Sequence, residues 1–148
     1  MTDRRTELVR HEDAGWAELH TLLGRLSQED LLRPGVTPEW TVKDLLGHLA
    51  SWWAEAAGEL ERIRLGTYRS EKLDVDAVNA RFYEAMRDLD PDTIMAELHA
   101  SRNRALEELG RLREITPPAD EWFFESGPSH YDEHLPELRA FVDSLSPG

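Results

Sequence analysis

Ser129-His130-Tyr131-Asp132-Glu133-His134-Leu135 reads as about two turns of helix with two imidazoles on one face. The four-residue spacing of His130 and His134 stacks their side chains one turn apart. The same face continues through Leu138, Phe141 and Leu145, so both imidazoles point toward whatever the helix packs against. Two aligned imidazoles on an inward face make half of a tetrahedral metal site. The spacing differs from the metalloprotease pattern, where a glutamate directly after the first histidine is the general base. Tyr131 holds that position here, and Glu133 points about 100° around the helix from His134.

Working outward from this stretch, the helix starts between Ser126 and Ser129 and runs to about Leu145. Pro136 removes one backbone donor inside it and predicts a bend just past His134. Ile115 to Gly127 reads as a loop around Pro117-Pro118, with Trp122-Phe123-Phe124 either covering the bundle end or walling a pocket. Before it, a helix from near Asp74 carries Val75, Val78, Phe82, Met86 and Leu89. Asp90-Pro91 then offers a cap and a first helical residue for a segment through Ile94, Met95, Leu98, Leu106, Leu109 and Leu112. The region is therefore one kinked helix or two.

The helix opening at Thr41 has Asp44 three residues on, an acidic variant of the capping box. It continues through Val42, Leu45, Leu46, Leu49, Trp52, Trp53, Ala56, Leu60 and Ile63, and stops before Gly66. His48 shares the inward face of Leu45 and Trp52. A lone histidine there would be a packed core residue, but this one has a histidine pair elsewhere in the chain to meet. Residues 66–73 form a polar connection. Near the N-terminus, Leu8, Trp16, Leu19, Leu22, Leu23 and Leu26 recur at helical intervals from about Asp3 to Leu26. Ser27 to Leu32 reads as one capped turn, and Arg33-Pro34-Gly35-Val36-Thr37-Pro38 as a stop. His11 and His20 read as surface or edge residues, and His99 has no histidine partner at helical spacing. No strand-period alternation of useful length appears. The expected fold is all-α, a bundle of four main helices forming one domain over residues 1–148.

Composition narrows the function classes. The 148 residues contain no cysteine, which excludes disulfides, thiolate metal sites and a cysteine nucleophile. A metal must then rely on His, Asp, Glu and water. Net charge is −13, with 30 acidic residues against 17 basic and no basic run, so nucleic acid is not an expected partner. No apolar run approaches eighteen residues, so no membrane span is expected. Met1-Thr2-Asp3-Arg4-Arg5 leads into a charged helical pattern without a signal-peptide segment, and a cytoplasmic location is the expectation.

Pro38-Glu39-Trp40-Thr41-Val42-Lys43-Asp44-Leu45-Leu46-Gly47-His48-Leu49 resembles the second-helix signature of the DinB-like (DinB/YfiT-like) superfamily. It is especially similar to the N-terminal domain of mycothiol-dependent maleylpyruvate isomerases, although Glu39-Trp40 stands where those proteins usually have Gly-Trp. His130-Tyr131-Asp132-Glu133-His134-Leu135-Pro136 resembles the last-helix motif of the same superfamily. The resemblance implies a four-helix bundle with a divalent metal, zinc or nickel, held by His48, His130 and His134. It also implies a thiol-dependent transferase or isomerase in which a low-molecular-weight thiol such as mycothiol is activated against a small electrophilic substrate, as in detoxification. Trp52, Trp53, Phe82 and Trp122 are the candidate apolar walls of the cofactor and substrate cleft, each of them also a ready core residue; catalytic residues are not identified. Val75-Asp76-Ala77-Val78-Asn79-Ala80-Arg81-Phe82-Tyr83 is similar to a subgroup that includes colibactin self-resistance proteins, which gives a protective function as the alternative. A third reading is a non-catalytic metal-binding bundle in the form of a homodimer.

Overall fold

The computed structural model describes residues 3–37 and 39–145, and six α-helices hold most of them. They are α1 (Arg4–Leu23), α2 (Val42–Leu65), α3 (Val75–Met86), α4 (Pro91–Arg111), α5 (Pro117–Ser126) and α6 (Pro128–Leu145). A 3-10 turn spans Asp30–Leu32, and the backbone pairing of Pro34 with Thr41 is an isolated bridge. The fold is all-helical among the described residues, as the apolar spacing predicts. Pro38, the end of the predicted Arg33–Pro38 stop, lies outside the described residues, as do 1–2 and 146–148.

Helix starts follow local chemistry closely. Asp3, Thr41, Asp74, Asp90 and Thr116 each accept a hydrogen bond from the backbone N–H three residues on. Such a cap contributes about 1 kcal/mol. At α2 the box is reciprocal, since the Asp44 side chain also accepts from the Thr41 amide at 3.0 Å. The helix ends on Gly66 with φ 77°, a left-handed conformation that suits glycine.

One open alternative is resolved and two expectations are revised. The Asp90-Pro91 interruption separates two helices, because Asp90 caps α4 and Pro91 begins it. The predicted Ile115–Gly127 loop is mostly helix α5. Thr116 is its cap and Pro117 its first residue, where the missing N–H costs no hydrogen bond. The first helix ends at Leu23 rather than Leu26, after which Ser27 and Asp30 exchange amide–side chain hydrogen bonds. Pro136 lies within α6, which continues through it to Leu145.

Helix α2 is the centre of the molecule, packed by α4, α3, α5 and the 3-10 turn, while α1 packs on α6. Its Leu45, Leu46, Leu49, Trp53, Ala56 and Leu60 are all 1 % exposed or less. Ile94, Leu98 and Leu109 from α4 belong to the same core. Full burial of each such side chain is worth about 1.5–3 kcal/mol.

What turns α6 toward the site is the contact on its other side. Tyr131 is 2 % exposed and lies against Gly15 of α1, where a Cβ would come within 2.2 Å of the ring. The Tyr131 hydroxyl donates to Oε2 of the wholly buried Glu12 at 2.7 Å, and Arg102 of α4 donates to Oε1 of the same carboxylate at 2.6 Å. With Tyr131 anchored toward α1 and α4, its neighbours His130 and His134 face α2.

Candidate metal centre

His48 projects from the second turn of α2, one turn after the capping-box Asp44 and one before Trp52. His130 and His134 come from the first half of α6. The three rings converge, with centroids 4.9 Å apart for His48–His130, 5.3 Å for His48–His134 and 5.7 Å for His130–His134. Each offers one nitrogen within 4.8 Å of those of the other two, so the group could hold a metal ion. Sequence spacing alone supplied the α6 pair; the fold supplies the third ring from a residue 82 positions earlier than His130.

The chemistry of the donors suits a cation. Nδ1 of His130 lies 2.9 Å from the Ser126 carbonyl, which fixes that nitrogen as the N–H donor and leaves Nε2 as the free lone pair. His134 is 9 % exposed, and its Nδ1 is a buried atom without a hydrogen bond. That nitrogen faces Glu137 Oε2 at 3.7 Å, itself buried and unsatisfied. Burial, reinforced by the neighbouring His130 and His134, pulls the His48 pKa down from 6.5 to about 3. Burial lowers the His130 pKa as well. Neutral imidazoles are what a metal requires of histidine.

The triad opens into a cavity of about 790 Å³, bounded by α2, the connection after it, α5 and α6. Trp52 and Trp122, two of the candidate cleft residues, line it. Trp52 is fixed by donation from Nε1 to Asn79 Oδ1 at 2.7 Å, which gives the Asn79 of the third-helix segment a positioning role. Trp122 Nε1 donates to the Tyr68 hydroxyl at 3.3 Å. Phe82 stands edge-on behind Trp52, at 5.2 Å between centroids, and borders a smaller neighbouring cavity beside Trp40 and His48. Trp53 is wholly buried in the core against Phe123.

Several residues of the cavity were not among the site candidates read from the sequence. Trp40 sits 5.1 Å from His48, ring to ring, placed by a turn in which the Gly35 and Val36 amides donate to its carbonyl. Gly35 has φ 121°, which a side chain would resist. Glu71, Glu121, Glu125, Glu133 and Glu137 also line the cavity. Reading α5 as helix would have paired Glu121 with Glu125 on one face, and His134 with Glu137 was visible at helical spacing. His99 does have a histidine partner, supplied by α1 rather than by its own helix. Its Nε2 lies 3.1 Å from His20 Nε2, beside the Trp16 ring.

The model for the mycothiol maleylpyruvate isomerase N-terminal domain matches residues 13–141. The chain belongs to that family. The family has a DinB-like fold, and its match contains all three histidines of the centre. Among solved structures, an uncharacterised protein from Escherichia coli UTI89 superposes with a TM-score of 0.83 at 16 % identity. The match covers 97 % of this chain and 95 % of that one, and at this identity it speaks to the fold alone. No curated protein matches the chain. No helix among the described residues is long and apolar enough to cross a membrane.

Proposed function

We propose that this family member folds as a DinB/YfiT-like four-helix bundle, built on α1, α2, α4 and α6, that binds one divalent metal through His48, His130 and His134. Its activity would be a thiol-dependent transfer or isomerisation on a small electrophile. The observation that carries the reading is the convergence of three imidazoles, from two helices, on the floor of a cavity large enough for a small molecule. Three histidine ligands leave a coordination position open, the arrangement of catalytic rather than structural sites. Imidazole donors suit zinc and nickel among others, and do not select between them.

A divalent ion at this position would lower the pKa of a coordinating thiol, making the thiolate available as the nucleophile. The chain contains no cysteine, so that thiol must come from a small molecule. The protein's own residues do the rest. Ser126 holds the His130 imidazole in orientation, and the Glu137 carboxylate lies 3.7 Å from Nδ1 of His134. Trp52, Trp122 and Trp40 supply apolar walls that exclude water from one side of the cavity.

Cobalt-loaded protein tests the reading. Mycothiol or a smaller thiol should produce a new sulfur-to-metal charge-transfer band in the near ultraviolet, and the cysteine-free chain makes the added thiol its only source. The same thiol should raise the melting temperature of the metal-loaded protein, equivalent to roughly 2.7 kcal/mol at a hundredfold excess over its dissociation constant. His134→Ala should abolish both effects. Absence of a band and of any stabilisation with every thiol tried would leave a non-catalytic metal-binding bundle as the better account.

A further inference from the structure

The cavity over the three histidines has a strongly one-signed lining. Glu71, Glu121, Glu125, Glu133 and Glu137 contribute carboxylates to it, and among the described residues no lysine or arginine lines it. Glu133 and Glu137 lie 3.9 and 3.7 Å from nitrogens of His134. Glu71, Glu121 and Glu125 make no hydrogen bond or ion pair among the described residues. Their charge is therefore directed at solvent and at whatever enters. Five carboxylates exceed the two positive charges of a divalent ion, so the cavity stays net negative with the metal bound. Trp40, Trp52 and Trp122 line the same cavity as these carboxylates, and tryptophan rings attract cations. Sites that recognise dicarboxylates or phosphates supply arginine or lysine forks, which this cavity lacks.

We propose that the site selects small ligands that are neutral or positively charged and rejects dianions such as dicarboxylates. The selection would apply to both the thiol and the electrophile, and it rests on the metal–thiol reading above only for the identity of the ligand's anchoring group. A dicarboxylate such as maleylpyruvate, named in the family's description, is then a poor substrate for this chain. An amine-bearing or uncharged electrophile fits.

Three thiols of graded charge provide the test: 2-aminoethanethiol, 2-mercaptoethanol and mercaptosuccinate. Their affinities for the cobalt-loaded protein are read from the near-ultraviolet band, in the wild type and in Glu121→Gln/Glu125→Gln/Glu133→Gln. All three side chains are exposed, so the variant keeps the core intact. The ratio of cation to dianion affinity should be at least about tenfold higher in the wild type than in the variant, and should shrink as salt rises. Equal ratios in the two proteins overturn the proposal. A second readout needs neither metal nor thiol. Caesium should quench tryptophan fluorescence of the wild type better than that of the variant, and iodide worse, because three of the five tryptophans share the cavity. If no thiol yields a band in either protein, the metal–thiol reading fails and the quenching arm decides the charge selection alone. Identical quenching in the two proteins then overturns it.

Discussion

At the scale of single residues, the buried Nδ1 of His134 and Oε2 of Glu137 stand 3.7 Å apart, each without another partner. Two orphaned polar atoms facing each other are costly unless a modest approach joins them. A ligating histidine usually donates its second nitrogen to such a carboxylate, which fixes the ring and raises its basicity. Glu137→Gln should therefore weaken metal binding by about 10–100-fold in chelator competition while leaving one ion per chain. An unchanged affinity would remove Glu137 from the site. His48 gives a pH prediction whose sign is set by its lowered pKa. The unfolded chain takes up a proton near pH 6.5 that the folded chain refuses until about pH 3. Its contribution to stability is present above pH 6.5 and is lost as pH falls from 6.5 toward 3. His130 and His99 shift in the same direction. Urea melts of the metal-free protein from pH 7.5 to 5 should show falling stability, with a shallower slope in His48→Gln; a flat profile would contradict the assignment.

At the scale of helices, α6 is the part whose placement matters most, because one turn of it carries two of the three ligands. Gly15 permits the close approach of α1 that seats Tyr131. Gly15→Ala puts a methyl group 2.2 Å from the ring and should cost about 1–3 kcal/mol in stability. Tyr131→Phe leaves the Glu12 carboxylate with Arg102 as its partner and should cost about 1–2 kcal/mol in a denaturant melt. What could be read from the sequence divides along the same line. Thr41 with Asp44, and Asp90 with Pro91, mark helix starts through local hydrogen bonding, and the structure places helix starts there. Pro117-Pro118 was misjudged because prolines that break a helix interior are harmless in its first turn. The inward face of α6 was legible from its four-residue histidine spacing. Its second buried face, through Tyr131 and Glu12, depends on a glycine in another helix and was not. The His20–His99 contact escaped for the same reason, since it joins α1 to α4.

For the molecule as a whole, the net charge of −13 and the acidic cavity act in one direction. A phosphate backbone finds no basic run to bind. DNA affinity should be no tighter than about 10⁻⁴ M at physiological salt. A salt-sensitive gel shift at micromolar protein would contradict this and favour the protective alternative. The cluster of His48, His130 and His134 is proposed as the metal site of this fold. Calorimetric titration of metal-free, tag-free protein with zinc tests it most directly. One ion per chain is expected for the wild type, with binding lost or weakened by orders of magnitude in both His48→Ala and His134→Ala. Unchanged stoichiometry and affinity in those two variants would contradict it.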